Sequence, residues 1–184
     1  MTPDAVVADD AAASFDCDDR AGIPLDDPVI LKAYRLALDA HAGQVDKAGE
    51  EYANHPLAVA RSMSRAPRNR RTLMTVALLH DVVEDTSVTI DEVREGFGDD
   101  VANAVALLTH ERGVPYLEYV QSVADSGNDV AIRVKIADLT QNMNLSRLPV
   151  VTETDKRRVT ERYVPALATL VSALRTQGDA PKTT

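Results

Sequence analysis

The chain has 184 residues, of which 45% are apolar and 27% are charged, and its formal net charge is −9. This length and composition fit a single globular domain of ordinary size. Cys17 is the only cysteine, which excludes an internal disulfide and a cysteine-based zinc site. No apolar run approaches the roughly 18 residues of a membrane-spanning helix, and the N-terminus lacks the pattern of a secretory signal. We therefore expect a cytoplasmic protein with no membrane partner.

The negative charge is concentrated near the N-terminus. Residues 1–27 contain eight aspartates and a single base, Arg20. Such a segment cannot bury enough apolar surface to offset the entropy cost of ordering it, so residues 1–25 are predicted to form a disordered acidic leader. The globular domain is then expected over 26–176, followed by a tail over 177–184. The acidic charge and the scarcity of aromatic residues also argue against nucleic acid as a partner.

The first two predicted helices are marked by their start signals. Asp27 followed by Pro28 is typical of a helix start, and Gly43 provides a stop. Residues 44–53 show no hydrophobic period and predict a loop. Asn54 opens the second helix, whose apolar residues recur at helical spacing.

The rest of the chain carries the same helical patterning. Residues 73–79 are almost wholly apolar and indicate a central, buried helix from Arg70 to about Glu84. Thr89 and Glu92 have the spacing of a capping box at the start of a short helix. Further helices are predicted over 100–110, 115–127, 128–143 and 152–176. No alternating strand pattern is present in the sequence, so the predicted fold class is all-α, a globule of about eight helices.

A cluster of ionisable residues follows the apolar stretch. His80 and Asp81 are followed closely by Glu84 and Asp85, so these side chains crowd together beside a buried segment. Desolvating them would cost several kcal/mol for each charge, and a bound divalent cation is the simplest compensation. A solvated helix end would explain the same residues without a metal.

Two distant residues favour the metal. Asp138 is a carboxylate set among apolar residues, and His55 stands at a helix start before a proline that biases it toward extended backbone. Each has an ordinary structural explanation when taken alone. Together with His80 and Asp81, however, their order and spacing resemble the HD-domain superfamily of metal-dependent phosphohydrolases, which has an all-α fold. The resemblance implies a metal held by four ligands: His55, His80, Asp81 and Asp138.

The resemblance is closer to one branch of this superfamily. The sequence is similar to the (p)ppGpp hydrolase domain of bifunctional alarmone enzymes and their small relatives over the segments 40–44, 47–50, 55–57, 77–86 and 134–138. This likeness implies an HD-domain helical bundle that acts on a small nucleotide or phosphate ester. Its most specific implication is a guanosine-3′,5′-bis(diphosphate) 3′-pyrophosphohydrolase.

The implied ligand set restricts the metal. Two imidazoles and two carboxylates suit Mn²⁺, Fe²⁺, Co²⁺ or Zn²⁺ better than Mg²⁺ or Ca²⁺, and the family resemblance implies Mn²⁺. The resemblance also implies that Glu84 and Asp85 position the attacking water and transfer protons. Because these acids and a polyphosphate accumulate negative charge, either one acid keeps a raised pKa or cations lie nearby.

The remaining predicted site residues are substrate contacts. Charge compensation and the resemblance together give five of them: Lys47, Tyr52, Lys135, Asn142 and Arg147. His41 is interpreted as a structural histidine at a helix C-terminus, and His110 as an ordinary surface or core histidine.

Two positions depart from the family pattern. Asp46 stands where the family usually has an arginine that stacks on guanine, and Gln141 stands where it usually has a histidine. An acid cannot stack as a cation, and it would repel phosphate. A hydrolase of another nucleotide or phosphorylated metabolite is therefore an alternative function, as is a non-catalytic sensing module that keeps the metal for structure.

Overall fold

A computed structural model describes residues 22–178 of the chain. The α-helices of this part of the chain are α1 (Pro28–Ala40), α2 (Asn54–Ser62), α3 (Arg70–Leu79), α4 (Val82–Asp85), α5 (Ile90–Phe97), α6 (Asp99–Leu108), α7 (Tyr116–Asp125), α8 (Asp129–Asn142), α9 (Glu153–Arg158) and α10 (Val164–Gly178). A 3₁₀ turn covers Leu145–Arg147, and a π-helical turn over Val159–Tyr163 joins α9 to α10. The predicted all-α fold is confirmed. Most of the predicted leader and tail lies outside the described residues.

Within residues 22–178, the loop between α1 and α2 is the one place where two residues pair as in a β-sheet. An isolated bridge joins Val45 to Glu51 there, and Asp46 Oδ1 accepts the backbone N–H groups of Ala48 and Glu50 at 2.8 and 3.1 Å. Gly49 adopts a φ of 83°, which a residue without a Cβ tolerates. The predicted loop is therefore present and has a defined turn just before α2.

The start of α1 follows its sequence signal. The Asp27 carboxylate accepts the backbone N–H of Val29 at 3.0 Å, and Pro28 occupies the first turn. The same carboxylate accepts a 2.5 Å hydrogen bond from Arg71 Nε on α3. This cap therefore also ties α1 to the central helix.

The centre of the fold is α3. Every residue from Leu73 to Leu79 is buried, and the helix packs against α1, α2, α6 and α8. A helix covered on all sides needs apolar residues around its whole circumference, and this one has them. Because α3 ends inside the molecule, the two residues that follow it, His80 and Asp81, emerge between α2 and α8.

The predicted helix over 70–84 is wrong at this point, because it breaks after Leu79 and α4 begins only at Val82. In an unbroken helix, with about 3.6 residues per turn, neighbouring side chains diverge by about 100°. The break lets His80 and Asp81 face the same point. Asp81 is the N-cap residue of α4, yet its carboxylate makes no capping hydrogen bond, so it faces the histidines instead of the start of α4.

The segment predicted as one final helix, 152–176, contains a wider helical turn that its sequence pattern did not predict. We refer to α9, this turn and α10 together as the last helix. It begins with a capping box between Thr152 and Asp155, in agreement with the predicted start. The π turn over Val159–Tyr163 then interrupts the α-helical register. Turns of this kind occur frequently at functional sites. Among the described helices, none combines the length and the apolar character needed to cross a bilayer.

Candidate active site

Two histidines and two aspartates from separate parts of the chain meet between α2, α3 and α8. His55 Nε2 lies 3.1 Å from Asp138 Oδ1 and 3.8 Å from Asp81 Oδ2. His80 Nε2 lies 3.1 Å from Asp81 Oδ2 and 3.8 Å from Asp138 Oδ1. Each imidazole nitrogen therefore lies close to an oxygen of both aspartates. The structure brings together the four residues predicted to be metal ligands.

The geometry of His80 fits a metal ligand. Its Nδ1 donates to the Ala77 carbonyl oxygen at 2.7 Å, so the neutral ring carries its lone pair on Nε2. That Nε2 atom is buried and makes no hydrogen bond within the described residues, an arrangement that costs free energy unless a cation meets it. Ligand atoms of His55, His80 and Asp81 lie within 4.8 Å of one another. This His–His–Asp group, with Asp138 beside it, has the donors to hold a divalent metal.

The cluster is also electrostatically suited to a cation. Burial alone would lower the pKa of His80, but the neighbouring Asp81 carboxylate raises that pKa to about 10. Burial would raise the pKa of Asp138, but the Lys135 ammonium and the histidines hold it well below its usual range. Both shifts reflect two ionised aspartates close together, and such a pair attracts positive charge, whether a proton on His80 or a metal cation.

Two residues of α8 hold Asp138 in place. Lys135 Nζ lies 2.8 Å from Asp138 Oδ2, and Asn142 Nδ2 donates to Asp138 Oδ1 at 2.5 Å. Lys135 is buried, and its ammonium lies 5.3 Å from the centre of the Tyr119 ring. Lys135 and Asn142, predicted as substrate contacts, therefore touch a predicted metal ligand directly.

Tyr52 links the cluster to Asp85. Its hydroxyl donates to Asp81 Oδ2 at 2.6 Å and lies 3.1 Å from Asp85 Oδ2. The Tyr52 ring packs on the ring of His41, with centroids 4.8 Å apart. His41 is buried at the C-cap of α1, the position predicted for it. Tyr52 thus orients two carboxylates, in addition to lining the cavity described next.

Glu84 is positioned by His110, for which the sequence predicted no site role. Glu84 Oε2 accepts the His110 backbone N–H at 2.9 Å. The His110 ring lies 4.6 Å from the Tyr119 ring, and its Nε2 is 2.8 Å from the Val114 carbonyl oxygen. Loss of water contacts raises the pKa of Glu84, and the charge of Asp81 adds to this rise against the His110 hydrogen bond.

A cavity of about 350 Å³ lies over the cluster. Its ionisable lining consists of six acids and five bases besides the histidines: Asp46, Asp81, Glu84, Asp85, Asp138, Asp155, Lys47, Lys135, Arg147, Arg158 and Arg162. Tyr116, Tyr119 and Tyr163 add aromatic surface. Its size and mixed lining are typical of a small-molecule site. A divalent cation at the cluster would make the summed formal charge of this lining positive, as the binding of phosphates requires.

Comparison with protein families identifies the fold. Residues 33–131, more than half of the chain, match the family described as HD domain. The chain belongs to the HD-domain family. The resemblance found in the sequence is therefore confirmed at the level of the family.

Two curated relatives place this HD domain among longer and shorter proteins. It is 35% identical over 123 residues to the bifunctional (p)ppGpp synthase/hydrolase SpoT of Escherichia coli K12. The aligned segment covers 62% of this chain and 17% of SpoT. It is 36% identical over 124 residues to the guanosine-3′,5′-bis(diphosphate) 3′-pyrophosphohydrolase MESH1 of Xenopus tropicalis. The aligned segment covers 64% of this chain and 69% of MESH1. The chain thus spans less than a fifth of SpoT but about two thirds of MESH1.

A solved structure shares the architecture. It belongs to a metazoan ortholog of SpoT that hydrolyzes ppGpp, and it matches the HD domain with a TM-score of 0.63 at 23% identity. The match covers 82% of this chain and 96% of that one. At this identity the likeness shows a common fold.

The predicted phosphate contacts Lys47 and Arg147 have different surroundings in the HD domain. Arg147 Nη1 lies 3.0 Å from Asp46 Oδ2, so the acid that departs from the family pattern is paired with a cation. Lys47 lines the same cavity and has no carboxylate within ion-pair distance in the part of the chain that the structure describes. Asp46 therefore does not present an uncompensated negative charge to a phosphate.

The wall that the last helix contributes has no counterpart in the sequence predictions. Arg158, Arg162 and Tyr163 all line the cavity. The two arginines are four residues apart, the spacing that places side chains on one helix face. This spacing is the sequence feature that could have indicated a shared basic face. These arginines are far along the chain from the metal cluster, and only the tertiary fold brings them to the cavity. Their spacing therefore could not be assigned to the site from the sequence.

Proposed function

We propose that this HD domain is a divalent-metal-dependent pyrophosphohydrolase that removes the 3′-diphosphate of guanosine-3′,5′-bis(diphosphate). The proposal is carried by the convergence of two imidazoles and two carboxylates beside a cavity lined by five basic side chains. The names of the relatives SpoT and MESH1 support this substrate. We also propose that the protein acts in the cytoplasm, where phosphorylated nucleotides are made.

The cation would be held by His55, His80, Asp81 and Asp138. Their mixed nitrogen and oxygen donors suit Mn²⁺, although other divalent transition metals share this preference. When bound, such a cation polarises the phosphoryl group and lowers the pKa of a coordinated water.

Glu84 and Asp85 would transfer the protons of the reaction. With its raised pKa, Glu84 keeps a proton to a higher pH than a free glutamate, which suits the protonation of the ribose 3′-oxygen as its bond to phosphorus breaks. The His110 N–H occupies Oε2 of Glu84 and leaves Oε1 for this task. Asp85, beside the Tyr52 hydroxyl, would accept the proton of the water that attacks the phosphorus.

The predicted substrate contacts divide into two groups under this proposal. Lys47 and Tyr52 would contact the nucleotide directly, and Arg147 would do so with Asp46 beside it. Lys135 and Asn142 would act chiefly through Asp138, which both of them touch.

Hydrolysis of another nucleotide or phosphorylated metabolite is a second candidate. Asp46 favours it, because an aspartate offers no cationic plane for a guanine base. A sensing module that keeps its metal only for structure is disfavoured, because such a site would not require Glu84 and Asp85 beside the ligands.

A phosphate-release screen over nucleotides and alarmones, with added Mn²⁺, tests these candidates. We expect release of pyrophosphate from guanosine-3′,5′-bis(diphosphate), lost in Asp81→Ala and unchanged in the control Asp91→Ala, whose side chain is 94% exposed. Release only from other compounds would support the second candidate. Undiminished activity of Asp81→Ala would refute the metal-dependent mechanism.

A further inference from the structure

An exposed basic surface lies where the chain enters α3. Residues 61–71 contain five arginines and no acid. Four of these arginines are exposed and form what we call the arginine surface: Arg65, Arg68, Arg70 and Arg71. Arg71 pairs with Asp27, and the other three have no carboxylate within ion-pair distance in residues 22–178. On a chain whose net charge is −9, such a concentration of positive charge attracts an anionic partner.

The acidic N-terminal part of the chain joins the domain beside this surface. Asp27 Oδ2 accepts a 2.5 Å hydrogen bond from Arg71 Nε. Five residues earlier, a Cβ placed on Gly22 would lie 3.9 Å from Arg61 Cγ. The stretch between them therefore runs from one end of the arginine run to the other. Residues 1–21 are attached at this point.

Residues 1–21 carry the charge that complements the arginine surface. They contain six aspartates and one base, Arg20. Three of the aspartates are close to the point of attachment, since Asp16, Asp18 and Asp19 lie within six residues of Gly22. Six residues of extended chain span at most about 20 Å. The tether therefore keeps these carboxylates at a high effective concentration near the arginines.

We propose that the arginine surface binds the chain's own acidic segment, residues 1–21, through ion pairs between aspartates and arginines. The pair between Asp27 and Arg71 is the innermost of these contacts. An exposed ion pair is weak by itself, but several pairs formed by one tethered segment reinforce each other. A nucleic acid would meet the same arginines, but it would have to displace carboxylates that cannot diffuse away.

The arginine surface and the metal cluster lie at opposite ends of α3. A helix of ten residues is about 15 Å long, and the metal ligands His80 and Asp81 follow its last residue. Binding of the acidic segment at the start of α3 therefore does not require the metal cluster to be covered. Docking and hydrolysis can be tested separately for this reason.

Cys17 allows a test on the full-length chain. It is the only cysteine and lies among the acids, so a nitroxide spin label attaches at one position within residues 1–21. At low salt we expect the amide NMR signals of residues 65–71 to lose most of their intensity. In 1 M NaCl, where the Debye length falls to about 3 Å, much of it should return. Equal losses at low and high salt, which the tether alone would give, would overturn the proposal, as would losses centred on Lys47 and Arg162 in the cavity.

Variants of the labelled chain separate ion pairing from closeness along the chain. The signals should recover at low salt in the combined variant Arg65→Gln, Arg68→Gln and Arg70→Gln. They should stay weak in a control that loses the same charge at three exposed arginines elsewhere: Arg112→Gln, Arg133→Gln and Arg157→Gln. Recovery in both variants, or in neither, would show that the arginine surface does not hold the segment.

Two further measurements distinguish other occupants. In a mixture of spin-labelled chain and ¹⁵N-labelled Cys17→Ser chain, the signals of residues 65–71 should keep their intensity. Their loss would show that the arginines bind a second copy of the chain, against the proposal. If the signals in the labelled chain do not depend on salt but shift on addition of a short single-stranded RNA, the surface binds nucleic acid and the proposal is wrong.

Discussion

The two sides of the cavity are built from different kinds of residue. On the metal side, His55, His80 and Asp138 are 7%, 1% and 4% exposed. On the cationic side, Lys47 and Arg162 are exposed and come from a loop and a π turn. Buried groups with several partners keep one geometry, which catalysis requires, whereas exposed arms adjust to their ligand. We infer that the metal side determines the reaction and the cationic side determines the substrate.

The largest effect is expected from Asp138→Asn on the metal side. The variant keeps the shape of the side chain but removes a charge that faces both histidines. We expect kcat/KM to fall on the order of 10³-fold, since a metal supplies several kcal/mol of transition-state stabilisation, together with loss of bound metal. The matched control is Asp129→Asn on the same helix, which alters a surface pair with Arg133. Activity within threefold of wild type would remove Asp138 from the mechanism.

Glu84→Gln separates proton transfer from metal binding. We expect kcat to fall about 10²-fold or more, the usual contribution of a general acid, while the metal content stays that of wild type. Because its pKa is raised, protonated Glu84 persists to a higher pH than usual, so wild-type activity should decline as pH rises through that pKa. This alkaline limb should be absent in the variant. An unchanged pH profile would exclude Glu84 as the acid.

Asn142→Ala tests whether the support of Asp138 matters. Loss of the 2.5 Å hydrogen bond to Oδ1 should weaken metal affinity about 10- to 100-fold, as is usual for residues that orient a metal ligand. Added metal should restore most of the activity. Thr140→Ala, an exposed position on the same helix, is the control. If excess metal restores nothing, Asn142 acts on the substrate instead.

The smallest effect is expected on the cationic side, from Asp46→Asn. The amide oxygen still accepts the backbone N–H groups of the loop, but the charge that pairs with Arg147 is lost. We expect KM to fall about two- to threefold, since ion pairs that remain partly open to water contribute about 1 kcal/mol or less. A tenfold rise in KM would show instead that the Asp46 charge itself binds the substrate.

Helix starts could be predicted from sequence because they depend on a few adjacent residues. Asp27 caps α1, and Thr89 with Glu92 forms the predicted capping box. The break after Leu79 could not be predicted in this way, because the local pattern stays helical and the departure serves distant partners. The same is true of the π turn over Val159–Tyr163, whose contacts with Tyr116 lie outside any sequence window.

The residues of the site differ in the same way: some could be predicted from the local sequence and others could not. His80 and Asp81 are adjacent in the chain and follow an apolar run, so they could be singled out by eye. Arg162 and His110 could not, because one reaches the cavity through the last helix and the other acts through its backbone N–H. A function can be predicted from residue type only under two conditions. The side chain itself must carry the chemistry, and the residues that it works with must be close to it in the sequence.

Anomalous diffraction from crystals grown with Mn²⁺ tests the central claim most directly. The account predicts one strong peak within bonding distance of His55 Nε2, His80 Nε2 and an oxygen of each of Asp81 and Asp138. A strong peak elsewhere, or a well-ordered cluster with no peak at saturating metal, would contradict it.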